Sequence, residues 1–461
     1  MKNRGYITVF LTLLISALLV LVMAVIAAVN LSAAKGRSAA ALKSSMSSVR
    51  AEYDRYLFEQ YHVLFLDQNP EGEGPGKLEA LAEERLSENL GPDYTVKDLA
   101  LTGVTGVMDD NCAEFRRQIM DAAPYLLADK GVEALKEKVQ DDTPVTKEEL
   151  DNLNMAQDPA EEKKEGDEDP RKSIRACQKT GIAYWILPED VTFHSYEVDA
   201  AKLPSGGKSG KTLTTMDTNF TDMSRLKRDA TQNSGWLNAA EQEAAGLVYA
   251  ANCFNCLTDE VQEGTVLSLE MEYLIAGKAT DAENYKAVID QILVIRTACN
   301  FAFILMDSSK MARLSALATS LTWYFPPIQP VVKYLLAGAW SYIEAIADAY
   351  RLVRGKKVPY VKTAENWVTD LNGLSHLGEY ADPSEKDETG LDYEDYLLIL
   401  LAPRMDTAYY RMLDVMQLNA NQDAESDAET FYLKDAISAF GMSAEIEYEG
   451  HTIQLMEEIG Y

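Results

Sequence analysis

The chain has 461 residues, with 73 acidic and 43 basic side chains and a net charge of −30. Such a surface is a poor partner for phosphate backbones or an anionic membrane surface, which disfavours nucleic acid as a partner on charge alone. With 47% hydrophobic and 25% charged residues, the composition is that of a folded globular protein, with length for two or three domains.

The first element is the run from Tyr6 to Val29. It carries no charge, and its only polar side chains are Tyr6, Thr8, Thr12 and Ser16. Crossing a bilayer takes about 20 apolar residues, whereas a signal-peptide core holds roughly 7–15. Length therefore favours an uncut anchor. Cleavage at the small-residue site Ser32-Ala33-Ala34 is the alternative. The expected lipid-facing residues are Tyr6, Val9, Phe10, Leu13, Leu14, Leu18, Leu21, Val25 and Val29. Lys2 and Arg4 precede the run and Lys35, Arg37 and Lys43 follow it, so flanking charge is nearly balanced. Residues 1–60 carry 7 basic and 3 acidic side chains, which leaves −34 on the rest. The default arrangement for one N-terminal span puts residues 1–5 inside and the large C-terminal body outside.

The helix is expected to continue beyond the membrane. Leu42, Met46, Val49, Tyr53, Leu57 and Tyr61 recur at helical spacing, and no proline occurs before Pro70. This predicts one helix to about Tyr61, with residues 30–62 as a stem packing that stripe against the body. The alternative is a simple tether followed by an ordinary helix.

Beyond the stem, Val63–Leu66 reads as strand and residues 69–76 as a turn. Residues 78–90 and 112–127 read as helices, and residues 94–107 as strand. Residues 63–156 form the first part of the head. The acidic stretch 157–172, QDPAEEKKEGDEDPRK, is a linker, and 173–461 is the main part. Residues 203–212, LPSGGKSGKT, read as a further loop. Val191–Val198 alternates like a half-buried strand. Residues 239–256, 281–306, 365–374 and 393–418 have helical periodicity. Residues 445–448 and 451–455, joined by Glu449-Gly450, carry a hairpin signal. Residues 314–343 contain one charge, Lys333, but Pro326, Pro327 and Pro330 interrupt them. Two core helices joined by a proline turn are expected there, in preference to a second membrane element. The class is α+β and helix-dominated, with a long N-terminal transmembrane helix and small antiparallel sheets.

Chemical motifs are weak. SGGKSGKT at 205–212 has Ser205 where a phosphate loop needs glycine. Cys253 and Cys256 form a lone CxxC within the expected helix, without the four ligands of a structural zinc site. Asp307-Ser308-Ser309 begins like a metal-dependent adhesion site, but Met311 stands where a second serine is needed. His62, His194, His376 and His451 are far apart. No catalytic set stands out, so no enzyme activity, cofactor, metal or small-molecule substrate is expected.

The N-terminal RGYITVFL followed by its apolar run resembles the start of TadE/TadG-like proteins of tight-adherence (Tad/Flp) pilus systems. The segment AEYDRYLFEQYHVLFLD at 51–67 is similar to a domain-of-unknown-function family of Gram-positive bacteria found beside Tad-type secretion and pilus genes. So are EFRRQIMDAAPY (114–125), LEMEYLIAGKATDAENYKAVIDQILVIRTACNFAFIL (269–305), AWSYIEAIADAYRLVRGKKVPYVKTAENW (339–367) and LDYEDYLLILL (391–401). A type IV prepilin has Gly before its cut and Glu at the fifth mature position. If Gly5 were that glycine, Phe10 would stand where the acid belongs. The resemblance therefore implies an uncut, non-enzymatic, minor-pilin-like membrane component. Its expected partners are the lipid bilayer, pseudopilins and an inner-membrane platform. A tethered surface adhesin is the alternative, and a tethered extracellular hydrolase the third reading.

Overall fold

The computed structural model describes residues 4–68, 76–130, 181–206, 236–259, 264–371, 390–422 and 431–461. The linker at 157–172, His376, and most of the loops at 69–76 and 203–212 lie outside them. The protein is a helix-dominated α+β protein. Its described residues fall into two units: 4–118 with 431–461, and 119–206 with 236–422.

The first unit opens with α1 (Arg4–Arg50), 47 residues or about 70 Å at 1.5 Å per residue. α1 stops at Arg50, and a second helix, α2 (Arg55–Tyr61), begins after a break. The expectation of one helix to Tyr61 is thereby corrected. Asp54 is extended and caps the new helix, its carboxylate accepting from the Leu57 amide at 2.8 Å. Its own amide donates to the Phe65 carbonyl at 3.0 Å, which turns the chain. Of the run Val63–Leu66, only Leu66 joins a strand, β1 (Leu66–Asp67). α3 (Gly76–Leu90), β2 (Tyr94–Gly106) and α4 (Asp109–Lys130) follow. α4 is entered through left-handed backbone at Asp110, Asn111 and Cys112. Gln118 on α4 clamps Leu64, accepting from its amide at 2.7 Å and donating to its carbonyl at 3.0 Å.

The sheet is completed by the C-terminal hairpin, β3 (Ala436–Tyr448) and β4 (His451–Gly460). The turn between them has positive φ at both Glu449 and Gly450, which matches the right-handed twist of its strands. β3 is the centre of an all-antiparallel sheet. β2 runs along one edge from Tyr94↔Tyr448 to Gly106↔Ile437. β4, then β1, pair with the other edge. Alternate β3 residues Phe440, Met442, Ala444 and Ile446 are buried with Leu78, Ala82, Leu86 and Leu90 of α3 and Leu42, Met46 and Val49 of α1.

The second unit is helical: α5 (Ile182–Ile186), α6 (Trp236–Cys253), α7 (Glu270–Ala276), α8 (Asp281–Met306), α9 (Ser308–Leu321), α10 (Gln329–Leu352), α11 (Tyr393–Leu401) and α12 (Met405–Ala420). α8 and α10 pack along one another at its centre. α7 ends at Gly277 with φ 60°, and Arg411 donates to the nearby carbonyls of Leu274 and Ile275 at 2.7 and 2.9 Å.

Three expectations are corrected in this unit. Residues 191–198 form no strand: the Val198 amide donates to Ala279 at 2.8 Å, and His194 Nδ1 lies 3.0 Å from the Val266 carbonyl. Alternation there reports half-burial rather than ladder pairing. Residues 365–371 are not helical, because the amides of Val368 and Thr369 bond the buried Glu344 carboxylate at 3.1 and 2.9 Å instead of their own carbonyls. The helix expected over 393–418 is two helices separated by a 3₁₀ turn at Ala402–Arg404, where Pro403 lacks an amide donor.

Candidate functional site

α1 divides into two surfaces. Every residue from 8 to 30 is exposed, on all sides of the helix. Val9, Phe10, Leu13, Leu14, Leu18, Leu21, Val25 and Val29 are among them, while the Tyr6 side chain lies outside the described set. The hydroxyls in this stretch are satisfied from within: Thr12 donates to Thr8 at 3.0 Å, and Ser16 donates to the Thr12 carbonyl. That is the condition hydrocarbon surroundings impose on a polar group.

From Leu31 onward one face is covered. Ala34, Ser38, Ala41, Leu42, Ser45, Met46 and Val49 are buried at spacings of three and four. Asn89 of α3 donates to Ser45 at 3.1 Å across the packed face. Leu57 and Tyr61 are buried on α2, whereas Tyr53 is half-exposed in the break, its ring 5.4 Å from that of Phe58. The end of α1 is tied to the end of the chain. Arg50 donates to Gly460 at 2.8 Å, and the Tyr461 hydroxyl donates to the Arg50 carbonyl.

Two helices among the described residues are long and apolar enough to cross a membrane: Thr8–Arg50 and Asp281–Met306. The second is partly buried in its unit, with Val288, Ile289, Ile292 and Arg296 all inside.

The second unit holds charges in its interior. Arg296 on α8 and Asp348 on α10 form an ion pair at 3.0 Å, both side chains fully buried. Arg296 also donates to Asn300 at 3.1 Å, Tyr396 at 3.1 Å and the Tyr360 carbonyl at 2.9 Å. Lys362 lies between two carboxylates, 2.7 Å from Asp348 and 2.8 Å from Glu344. Glu344 in turn accepts from the Thr369 hydroxyl at 2.6 Å. Arg296 and Lys362 thus face Asp348 and Glu344, with the buried Arg351 close enough to act on both acids, and most remaining sites are hydrogen-bonded, as buried ions require. Burial alone would raise the Asp348 pKa, but Lys362 and Arg296 outweigh it and hold the carboxyl below its ordinary range.

A second buried group lies behind a cleft of about 690 Å³ lined by Glu189, Asp190, Cys256, Asp259, Ser268 and Arg354, among others. Glu270 accepts from the Asn255 amide at 3.0 Å and from Asn419 at 2.7 Å. Glu272 accepts from the Leu257 amide at 3.1 Å and the Tyr393 hydroxyl at 2.9 Å. Asp281 accepts from the Ser268 amide at 3.0 Å. Burial pushes Glu270 and Glu272 each up to about 7, against the lowering effect of their hydrogen bonds. These carboxyls hold the loop at 255–257 and the turn at Ser268. Cys256 lies beyond the end of α6 and not within it, whereas Cys253 is the last helical residue. Burial, with Glu272 and Asp259 nearby, raises the Cys256 thiol, so it is not a thiolate at neutral pH. Among the described residues no group of three or more His, Cys, Asp or Glu is arranged to hold a metal.

The remaining motifs have local roles. Asp307 caps α9, accepting from the Lys310 amide at 3.0 Å and ammonium at 2.8 Å. Ser205 gives its amide to Asp414 at 2.8 Å. His62 is the left-handed C-cap of α2, and His451 is exposed on β4. The buried ions went unread in the sequence, yet a signal exists. Leu336, Trp340, Glu344, Asp348 and Leu352 share one face of α10 at a spacing of four, so two acids occupy core positions.

The molecule is thus an α+β protein with an exposed apolar N-terminal helix and a charged interior. It belongs to a family of unknown function, DUF5702, whose model matches residues 160–448. That match takes in the second unit from residue 160 onward and β3, and leaves out every element from α1 to α4. No curated protein and no solved structure matches the chain.

Proposed function

We propose that the protein is a non-enzymatic, membrane-anchored component of a Tad-type pilus or secretion apparatus, minor-pilin-like in plan, with its N-terminus inside and its C-terminal body outside. The observation that carries the anchor is the two-part surface of α1: exposed apolar residues from 8 to 30, then a single buried face from Ala34 to Val49. A span of 23 exposed residues is about 35 Å long, enough for a hydrocarbon core of about 30 Å. The Tad context rests on the likeness of RGYITVFL to TadE/TadG-like proteins and of the downstream blocks to a family found beside Tad-type genes. Residues 6–29 hold the bilayer and meet other stems, and residues 37–61 couple the stem to the head. The partners are pseudopilins and the inner-membrane platform.

The test is topology followed by co-purification. An epitope tag after Tyr461 is expected in the membrane fraction and open to external protease once the wall is removed. Pilin and platform proteins are then expected to co-purify in mild detergent. Tagged protein lacking residues 1–34 in the medium would refute the anchor. A tag protected until the membrane is lysed would place the body inside. Co-purification of no pilus component from correctly oriented protein would leave the tethered surface protein as the better account.

A further inference from the structure

The junction between α9 and α10 carries a cluster of exposed apolar side chains. Trp323 is 78% exposed and Tyr324 71%, with Phe325, Val331, Tyr334 and Leu335 each more than half exposed. The base beneath is well packed: Ile304, Leu314, Leu317, Leu336 and Trp340 form one buried cluster. Exposed aromatics on a fixed support mark an interaction surface, because scattered apolar exposure does not concentrate in this way.

We propose that this turn docks into the bilayer surface as a second membrane contact of the body; the inference rests on the membrane-anchor reading above. Three observations favour lipid over a protein partner. First, charge: residues 308–343 contain none of the chain's 73 acids, and Lys333 stands between the exposed Val331 and Tyr334, whereas Lys310 is paired with Asp307 and Arg313 packs over Trp340. Without acids, this stretch escapes the repulsion that an anionic lipid surface exerts on the rest of the body. Second, backbone: Pro326, Pro327 and Pro330 have no amide donor, and the amides of Phe325 and Ile328 are bonded within the turn to Thr322 and Phe325 at 2.9 and 3.3 Å. Few donors therefore remain to be stripped of water when the turn enters the headgroup region. Third, side chains: Trp and Tyr carry an apolar ring with a polar edge, the pairing that concentrates them at membrane interfaces, and Lys333 has the reach to keep its ammonium in the headgroups.

The test uses the full-length protein in vesicles of phosphatidylcholine with phosphatidylglycerol, the acyl chains brominated near the headgroup. α1 contains no tryptophan, so quenching of tryptophan emission reports the body and not the anchor. Quenching by the brominated lipid is expected, and W323F is expected to lose most of it. Equal quenching in the two proteins, or none in either, overturns the proposal. So does protection of Trp323 from acrylamide that rises with protein concentration in the absence of lipid quenching, which would make the turn a contact between copies of the chain. Flotation on a density gradient separates the two readings. Protein that floats without quenching refutes the turn alone, whereas protein that does not float refutes the anchor and the turn together.

Discussion

Lys362 is the residue on which the charged interior turns. Its ammonium serves both Asp348 and Glu344, and all three side chains are shut off from water. Removing one partner of a buried ion set leaves the others uncompensated, at a cost of about 3–5 kcal/mol. Lys362→Met is therefore expected to destabilise the second unit by that amount in urea unfolding. Tryptophan emission is the readout, since Trp340 donates to Thr369 inside the same cluster at 3.2 Å. A loss below about 1 kcal/mol would show the network to be dispensable. Glu270 and Glu272 give the opposite pH signature to Asp348. Their folded pKa values, near 7, lie above the unfolded value, so the folded state binds more protons between about pH 4.5 and 7. Their contribution to stability is present at the acid end of that window and is lost as pH rises through 7. Asp348 behaves conversely: its contribution is lost as pH falls through its depressed pKa. The body is expected to melt at a higher temperature at pH 5.5 than at pH 8. The double substitution Glu270→Gln, Glu272→Gln should flatten that slope, and an unchanged slope would assign it elsewhere.

α1 joins two physical regimes in one element, and substitutions should separate them. An arginine at the centre of a span costs about 2.5–3.5 kcal/mol, so Leu18→Arg with Leu21→Arg is expected to release the protein from membranes in alkaline carbonate extraction. Leu42, one helix stretch later, is buried against α3 and β3. Leu42→Ala should cost about 2–5 kcal/mol in the first unit and leave membrane retention unchanged. Retention lost in both variants, or in neither, would mean that α1 is not divided at residue 30. The element scale also shows where periodicity misleads. The stripe Leu42, Met46, Val49, Tyr53, Leu57, Tyr61 keeps its spacing through a break in the helix, because Asp54 starts a new helix without disturbing the count. The residues predicted as helix at 365–371 obey a partner 25 positions away, Glu344, and no local pattern encodes that.

The first unit is closed by segments far apart in the sequence. β1 and β2 lie before residue 107, and β3 and β4 begin at Ala436, so the sheet forms only when segments more than 300 residues apart meet. Loop closure of that length is entropically unfavourable and slow, which places the completion of the first unit after β3 and β4 are available. Deleting residues 451–461 removes the β4 edge, together with the hydrogen bonds that Tyr461 and Gly460 make to Arg50. Limited proteolysis with mass detection is then expected to cut residues 55–118 while the helical core between 281 and 352 resists. Resistance throughout would show that β2 and β3 suffice.

The sequence by itself determined the apolar helix, the helix-dominated α+β class, the helices over 78–90 and 281–306, the proline turn and the C-terminal hairpin. These follow from runs, periods and turn residues that act within a few positions of one another. Tertiary structure alone decided that the hairpin completes a sheet with β1 and β2, that 191–198 stays unpaired, and that 365–371 wraps a carboxylate. It also decided that Arg296, Asp348, Lys362 and Glu344 are linked in one buried chain of ion pairs and that the aromatics at 323–325 stay outside. Each of these depends on partners distant in the chain, whose meeting is set by burial and charge compensation and not by local propensity.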